Sequence, residues 1–311
     1  MRVSRAGILV LITLTVLTGG GCTFWNQIKA RQNLVDGAAA YQNKKFDEAE
    51  TLFRDAVQRD PDQLLGQLFL ARTLHSQFAA NRDQKGKGDQ AVVEYKKVIP
   101  KYKEEVTRLR QAASGNPGDE KSQRELTNAL TILNSSISAV ANILDTTNQP
   151  DAWKEWQNQI ANDTGLPPET RATALTAMAA KENTCANDIT GVEPVRKTVK
   201  TPDGKEEYQY VKPTDAAQYE QLKGCIARGT ELINRALELD KNSDSLWSYK
   251  TSLLIQEARL AEMDGRKPDE DRLRAEADQA KAEFTRLAEI KRKAKEAEEE
   301  RKRQEAEAAN K

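Results

Sequence analysis

Histidine is almost absent from this chain, since His75 is the only one in 311 residues. A metal site needs several histidine, cysteine or carboxylate ligands at close spacing, and no such set stands out. The GxSxG, HExxH and glycine-rich phosphate-loop motifs are also missing. We therefore expect no enzyme activity, no catalytic residues, no metal and no cofactor, and we interpret His75 as a packing or surface residue of a helix.

An excess of one charge is also lacking, because 48 Lys and Arg balance 48 Asp and Glu. A general nucleic-acid-binding protein would have a basic excess, so we expect no nucleic-acid partner. Aromatic residues make up only 5% of the chain, whereas charged residues make up 31%. Long stretches are rich in Ala, Glu, Lys, Arg and Leu, which favours helix, and we predict an all-α fold.

No apolar run is long enough to cross a bilayer, which takes about 20 residues. The apolar run from Ala6 to Leu17 is shorter, and Arg2 and Arg5 precede it. This order is typical of a signal peptide that is removed on export. We assign residues 1–21 to that segment.

The small residues Gly19, Gly20 and Gly21 lie directly before Cys22, and this pattern resembles the bacterial lipobox. The pattern departs from the lipobox at Gly19, where that family prefers Leu. The resemblance implies that Cys22 is lipidated and that residues 22–29 form a lipid-anchored tether. Thr23 follows where inner-membrane lipoproteins have Asp, which implies an outer-membrane lipoprotein facing the periplasm. An ordinary secretory leader cleaved near a cysteine is the alternative.

A spacing of small and aromatic residues after the tether indicates paired helices. Ala49, Phe53 and Ala56 lie at i, i+4 and i+7, so they share one helix face against which a second helix can pack closely. Gly37 lies on the preceding helix, and Pro61 follows the helix end.

These residues, with Phe46, resemble the tetratricopeptide repeat (TPR) of about 34 residues, although Asn33 stands where that family often has Trp. The resemblance implies a TPR-like helical-hairpin solenoid with units 1 and 2 in residues 30–100 and degenerate units 3 and 4 in residues 164–290. Residues 101–163 are expected to form an irregular helical linker region. Pro100 is expected to end a helix, and Asn81–Asp89 to form a long turn. The positions expected to pack within the repeats are Gly37, Ala49, Phe53, Ala56, Pro61, Ala91, Tyr95, Trp247, Ala280 and Phe284.

Residues 192–212 are predicted to form a small β-hairpin insertion, because alternation with Tyr208 and Tyr210 surrounds an Asp-Gly turn. The two tyrosines either pair across the strands or contact a saccharide. Cys185 and Cys225 lie on the helices on either side of the insertion in the exported part of the chain. We predict a disulfide between them that clamps the insertion, with two buried free thiols as the alternative.

The leader and the repeats together predict a non-enzymatic periplasmic scaffold that binds an envelope protein through a TPR groove and assists assembly of an outer-membrane complex. A cell-wall or carbohydrate-associated accessory protein that uses the hairpin is the alternative.

Residues 291–311 are almost entirely charged or small and are predicted to be a charged helical tail. The positions expected to line the groove, from spacing alone, are Asn33, Gln67, Arg72, Lys250 and Glu257.

Overall fold

The computed structural model describes the backbone of residues 5–309 and the side chains of residues 24–304, 306 and 307. The described backbone contains ten α-helices and one two-stranded β-hairpin, so the prediction of an all-α helical-hairpin fold with a small β insertion is confirmed. The side chain of Cys22 lies outside the described residues. Among the described residues, no helix combines the length and the hydropathy that a bilayer crossing requires.

The chain divides into two compact units, residues 1–153 and residues 154–311. The first unit contains α1 (Arg5–Gln42), α2 (Phe46–Arg59), α3 (Leu64–Ala80), α4 (Lys85–Gly115) and α5 (Glu120–Thr146). Helix α6 (Pro150–Asn162) begins in the first unit and ends in the second. The second unit continues with α7 (Pro168–Thr190), β1 (Arg196–Lys200), β2 (Glu206–Tyr210), α8 (Ala216–Leu239), α9 (Asp244–Met263) and α10 (Lys267–Ala309).

Helices of the first unit pack in chain order, α1 on α2, α2 on α3, α3 on α4 and α4 on α5. Short turns join them, so each pair is antiparallel. Ala49, Phe53 and Ala56 of α2 are fully buried, and the ring of Phe53 lies against Gly37 of α1. Pro61 is exposed in the turn between α2 and α3, so the expectation that it packs within the repeat is wrong. Its place after the helix end fits its missing N–H rather than a packing role.

Helix α4 differs from the sequence expectation at both ends. It begins at Lys85, which leaves only a short turn after α3 instead of the long turn expected over Asn81–Asp89. It also continues through Pro100, which was expected to end the helix. A proline inside a helix costs about 3 kcal/mol. Val98 and Tyr102 are buried on either side of Pro100, and their packing offsets that cost.

The segment expected to be an irregular linker is regular helix over most of its length. Asp119 caps α5, because its side chain accepts a hydrogen bond from the Lys121 backbone N–H at 3.1 Å. Leu133, Val140 and Ile143 of α5 are fully buried. Helix α5 thus completes the core of the first unit instead of linking two repeat arrays.

The β-hairpin of the second unit is antiparallel and pairs Arg196 with Tyr210 and Thr198 with Tyr208. Gly204 in its loop has a φ of 82°, a left-handed conformation that glycine adopts without strain. The base of the hairpin packs on a cluster formed by α7, α8 and α9. The buried members of this cluster are Ala186, Ile189, Val195, Tyr210, Leu222, Cys225, Ile226 and Met263.

A disulfide joins α7 to α8 within this cluster, with Cys185 and Cys225 Cα atoms 6.1 Å apart. Cys225 is 1% exposed, so the bridge lies in the core beneath the hairpin. The pairing has the position that the sequence predicted, next to the base of the insertion.

Helices α9 and α10 complete the second unit, where Ala258, Ala261, Ala277 and Ala280 allow close packing. Trp247 and Phe284 are half-buried near one end of this pair. The last buried residue of α10 is Leu287 at 7% exposure, and the described residues beyond it are exposed apart from two partly covered positions. Ion pairs between neighbouring turns, such as Arg292 with Glu289 at 2.6 Å, run along this helical tail.

Candidate functional site

The predicted groove position Gln67 is not on a surface at all. It is 8% exposed, and its side-chain amide donates to the carboxylate of Glu94, itself 9% exposed. Glu94 also accepts from Lys97 Nζ at 2.9 Å. The sequence predicts an exposed Gln67 because it does not show that Glu94 of α4 lies opposite this position on α3.

Three other predicted groove positions are half-buried and engaged within the protein. Asn33 donates to the Asp55 carboxylate, and so joins α1 to α2. Lys250 Nζ donates to Asn234 Oδ1 at 2.9 Å, and Glu257 accepts from Thr230 Oγ1 at 2.6 Å. The last two residues thus join α9 to α8 within the second unit.

Arg72 is the exception, and it lies on a polar and aromatic surface of the first unit. We call this surface the α3 surface and define it as Tyr41, Arg72, His75 and Ser76, which are partly exposed. The side chain of Tyr95, which is 4% exposed, lies beneath them. The Tyr41 hydroxyl lies 3.0 Å from Ser76 Oγ, and the Tyr95 hydroxyl lies 3.5 Å from His75 Nδ1. Side chains from α1, α3 and α4 therefore meet there.

Arg72 is the one charged residue of the α3 surface, and Arg82 lies near enough to act on His75. Burial, followed by the nearby charge of Arg82, lowers the pKa of His75, so the imidazole is neutral at pH 7. Burial raises the pKa of Tyr95 to about 12. The Arg72 guanidinium lies 5.9 Å from the Phe69 ring centre and forms no ion pair with any described residue. Arg72 therefore presents an uncompensated positive charge among neutral side chains.

A pocket with a volume of about 510 Å³ lies between α9 and α10 in the second unit. It is open to solvent and contains both charges, with Lys250 facing Glu276 and Glu283 across it. The full lining is Trp247, Lys250, Leu254, Glu276, Gln279, Ala280 and Glu283. The predicted positions Trp247, Lys250 and Ala280 thus meet at this pocket.

The two hairpin tyrosines have different surroundings. Tyr210 is 8% exposed, and Arg259 lies 4.5 Å from its ring centre. Tyr208 is 58% exposed, but Arg196 lies 4.7 Å from its ring centre. The ring of Tyr210 therefore lies in the core, and Tyr208, which pairs with Thr198, is the one of the two tyrosines that is accessible at the surface.

The described residues contain no group of three or more His, Cys, Asp or Glu side chains placed to hold a metal ion. The neighbours of the His75 imidazole are the Tyr95 hydroxyl and the Asn142 side chain.

Comparison with known proteins adds no family, since no protein-family model matches the chain and no curated protein matches its sequence.

Sequence reasoning missed most of the α3 surface, because it identified Arg72 but not Tyr41, His75 or Ser76. The signal available was the spacing of Arg72, His75 and Ser76, which places all three on one side of a helix. What the spacing does not show is that Tyr41 and Tyr95 approach that same side from the two neighbouring helices.

Proposed function

We propose that this protein is a non-enzymatic scaffold of the bacterial cell envelope, held at the outer membrane through lipid on Cys22, that binds a segment of a partner envelope protein at the α3 surface. The observation that carries the proposal is the unpaired Arg72 guanidinium beside the ring of Phe69 on a partly exposed helix face. Arginine is among the residue types that are enriched where a few side chains supply most of the binding energy of a protein interface.

The chemistry of the α3 surface supports a partner segment with a carboxylate. Arg72 offers donors in the planar geometry that a carboxylate matches, while the partly covered Tyr41, His75 and Ser76 offer hydroxyl and imidazole groups that hydrogen-bond without charge. These side chains are already ordered by contacts with one another, so little side-chain entropy is lost when a partner binds. The resemblance of Gly37 to Pro61 to TPR units favours the same kind of role.

The test is site-specific photo-cross-linking in cells that make the full chain. A photo-reactive residue replaces Ser76 on the α3 surface, and in a control it replaces Thr107, which is exposed on α4. We expect a defined cross-linked partner from position 76 and a weaker or different product from position 107.

Charge reversal then tests the chemistry. Arg72→Glu is expected to abolish the cross-link at position 76, because it repels the partner's carboxylate. Arg124→Glu, which reverses one exposed charge with a 72% exposed side chain, is the matched control and is expected to leave the cross-link unchanged. A product that is equally strong from positions 76 and 107, or that survives Arg72→Glu, would refute the α3 surface as a binding site.

Anchoring is tested separately. Mass spectrometry of the peptide that contains Cys22 is expected to show acylation, and Cys22→Ser is expected to release the protein from the membrane fraction. An unmodified Cys22 would refute the anchor without bearing on the α3 surface.

A further inference from the structure

Three large apolar side chains at the start of the described part of α1 are exposed to solvent. Phe24 is 65% exposed, Trp25 is 59% exposed and Ile28 is 40% exposed. At spacings of three and four they lie on one side of the helix. Among the described side chains of α1, which begin at Phe24, the first that is fully buried is that of Ala30. We call Phe24, Trp25 and Ile28 the α1 apolar cluster.

The α1 apolar cluster is exposed because the neighbouring helix ends before reaching it. Arg59 is the last residue of α2, and its Nη1 donates to Asn26 Oδ1 on α1 at 3.5 Å. Because α1 and α2 are antiparallel, Asn26 marks the level at which α2 ends. Phe24 and Trp25 therefore lie beyond the end of α2.

The sequence places this cluster next to the proposed lipid attachment site, and the inference rests on that part of the proposed function. Phe24 follows Cys22 by two residues and Ile28 follows it by six. At about 1.5 Å per helical residue, Ile28 lies about 9 Å along the axis from position 22. Lipid on Cys22 would hold all three side chains at the surface of the bilayer.

We infer that the α1 apolar cluster inserts into the interfacial layer of the lipid bilayer and so fixes the angle at which the first unit stands on the membrane. Tryptophan is enriched at this layer, where its ring is partly apolar and its N–H remains hydrated. The Lys29 ammonium lies 5.8 Å from the Trp25 ring centre, a position from which it can reach lipid phosphates.

Apolar contact rather than net charge carries the insertion. Lys29 and Arg31 are basic, but Asp60 and Asp62 lie in the turn at the end of α2 and offset them. Val35 is 67% exposed but follows Trp25 by ten residues, about 15 Å along the helix, and remains in water. A zwitterionic bilayer is therefore the appropriate probe.

The experiment uses the full chain as the cell makes it, reconstituted in vesicles of phosphatidylcholine with bromine either near the headgroups or near the chain ends. Bromine quenches tryptophan fluorescence at short range. We expect quenching that is stronger with shallow bromine, that is lost in Trp25→Phe and that is retained in Trp247→Phe. The second variant is the matched control, since Trp247 is half-buried in the second unit.

A probe at a third position tests the orientation. In a Trp25→Phe background, Val35→Trp is expected to show little or no quenching, because position 35 lies above the interface. Equal quenching at positions 25 and 35 would overturn the inferred angle.

The outcomes separate this inference from the anchor. If Cys22 carries lipid and the protein is bound to vesicles, but Trp25 is not quenched, the inference is overturned and the anchor stands. Shielding of Trp25 by a second copy of the chain gives that same unquenched result. If mass spectrometry finds no lipid on Cys22, the anchor fails, and the inference fails with it.

Discussion

Gly37 of α1 and Phe53 of α2 approach so closely that a Cβ atom on Gly37 would lie 2.7 Å from Phe53 Cε1. The Phe53 ring is fully buried and stacks on Phe69 of α3, with ring centres 5.4 Å apart. The ring therefore has no space into which it can move. Because Gly37 has no Cβ atom, the Phe53 ring can lie between α1 and α3 and so join the first three helices.

Gly37→Ala is expected to lower the free energy of unfolding by about 1–2 kcal/mol, because overpacking costs about 1–3 kcal/mol and better helix propensity returns up to about 1 kcal/mol. Gly86→Ala is the control, since nothing lies within 4 Å of the added Cβ at the start of α4. It is expected to leave stability unchanged or raise it by up to about 1 kcal/mol. Urea unfolding followed by circular dichroism measures both, and equal effects would contradict the close approach.

Gln67→Ala is expected to destabilise the protein by about 1–3 kcal/mol, because the buried Glu94 carboxylate would lose a hydrogen-bond donor. Gln90→Ala is the control, because Gln90 is exposed and only accepts from Arg54 Nη2 at 2.7 Å. Its effect is expected to stay within about 0.5 kcal/mol. The same urea unfolding experiment applies. A loss of stability in Gln67→Ala that is smaller than the loss in Gln90→Ala would contradict the burial of Gln67 against Glu94.

Removal of the disulfide is expected to destabilise the second unit by about 4 kcal/mol in the chain-entropy account, because Cys185 and Cys225 are 40 residues apart. The Cys185→Ala, Cys225→Ala double variant is compared with the unaltered protein by chemical unfolding. Peptide mapping after thiol labelling without reduction is expected to find both cysteines unmodified. Two labelled cysteines in the folded, unreduced chain would refute the bridge.

Asp264 is expected to make stability fall in acid. Burial opposes its ionisation, but hydrogen bonds from Lys212, Tyr219 and Arg266 outweigh burial and lower its pKa to about 2. The unfolded chain has the higher pKa, near 3.8. The stabilisation is therefore fully present above about pH 4 and is lost as the pH falls towards about 2.

The comparison is with Asp264→Asn, which keeps an oxygen to accept from the Tyr219 hydroxyl, 2.5 Å away in the unaltered protein, but does not titrate. Stability measured by urea unfolding between pH 5 and pH 2 is expected to fall more steeply for the unaltered protein than for the variant. Parallel curves would mean that the contact of Asp264 with Lys212 and Tyr219 does not hold in solution.

The features that were predictable from the sequence are those set by local spacing. Ala49, Phe53 and Ala56 share a helix face whatever their partner is, so their burial follows from period alone. The hairpin could also be predicted, because Asp203 and Gly204 are residue types that favour a hairpin turn. Both arguments concern neighbours in the chain.

The features that sequence reasoning missed depend on which residues of other elements lie against a given side chain. Pro100 was expected to end a helix because propensity disfavours it, and burial of its neighbours in α4 outweighs propensity. Gln67 was expected to be exposed, but Glu94 approaches it from another helix. The burial of Tyr210 against Arg259 likewise depends on a contact with an element that is distant in the chain. A single sequence does not show these approaches, so the candidate site was predicted less well than the fold.

The packing of each helix on the next one in the chain has a consequence for synthesis. Most helix contacts in both units join elements that are adjacent in the sequence. Few contacts therefore require segments that are far apart in the sequence to come together. A newly made helix can dock as soon as its predecessor is complete. The chain can therefore fold progressively, from its first hairpin onward, while the remainder is still being synthesised.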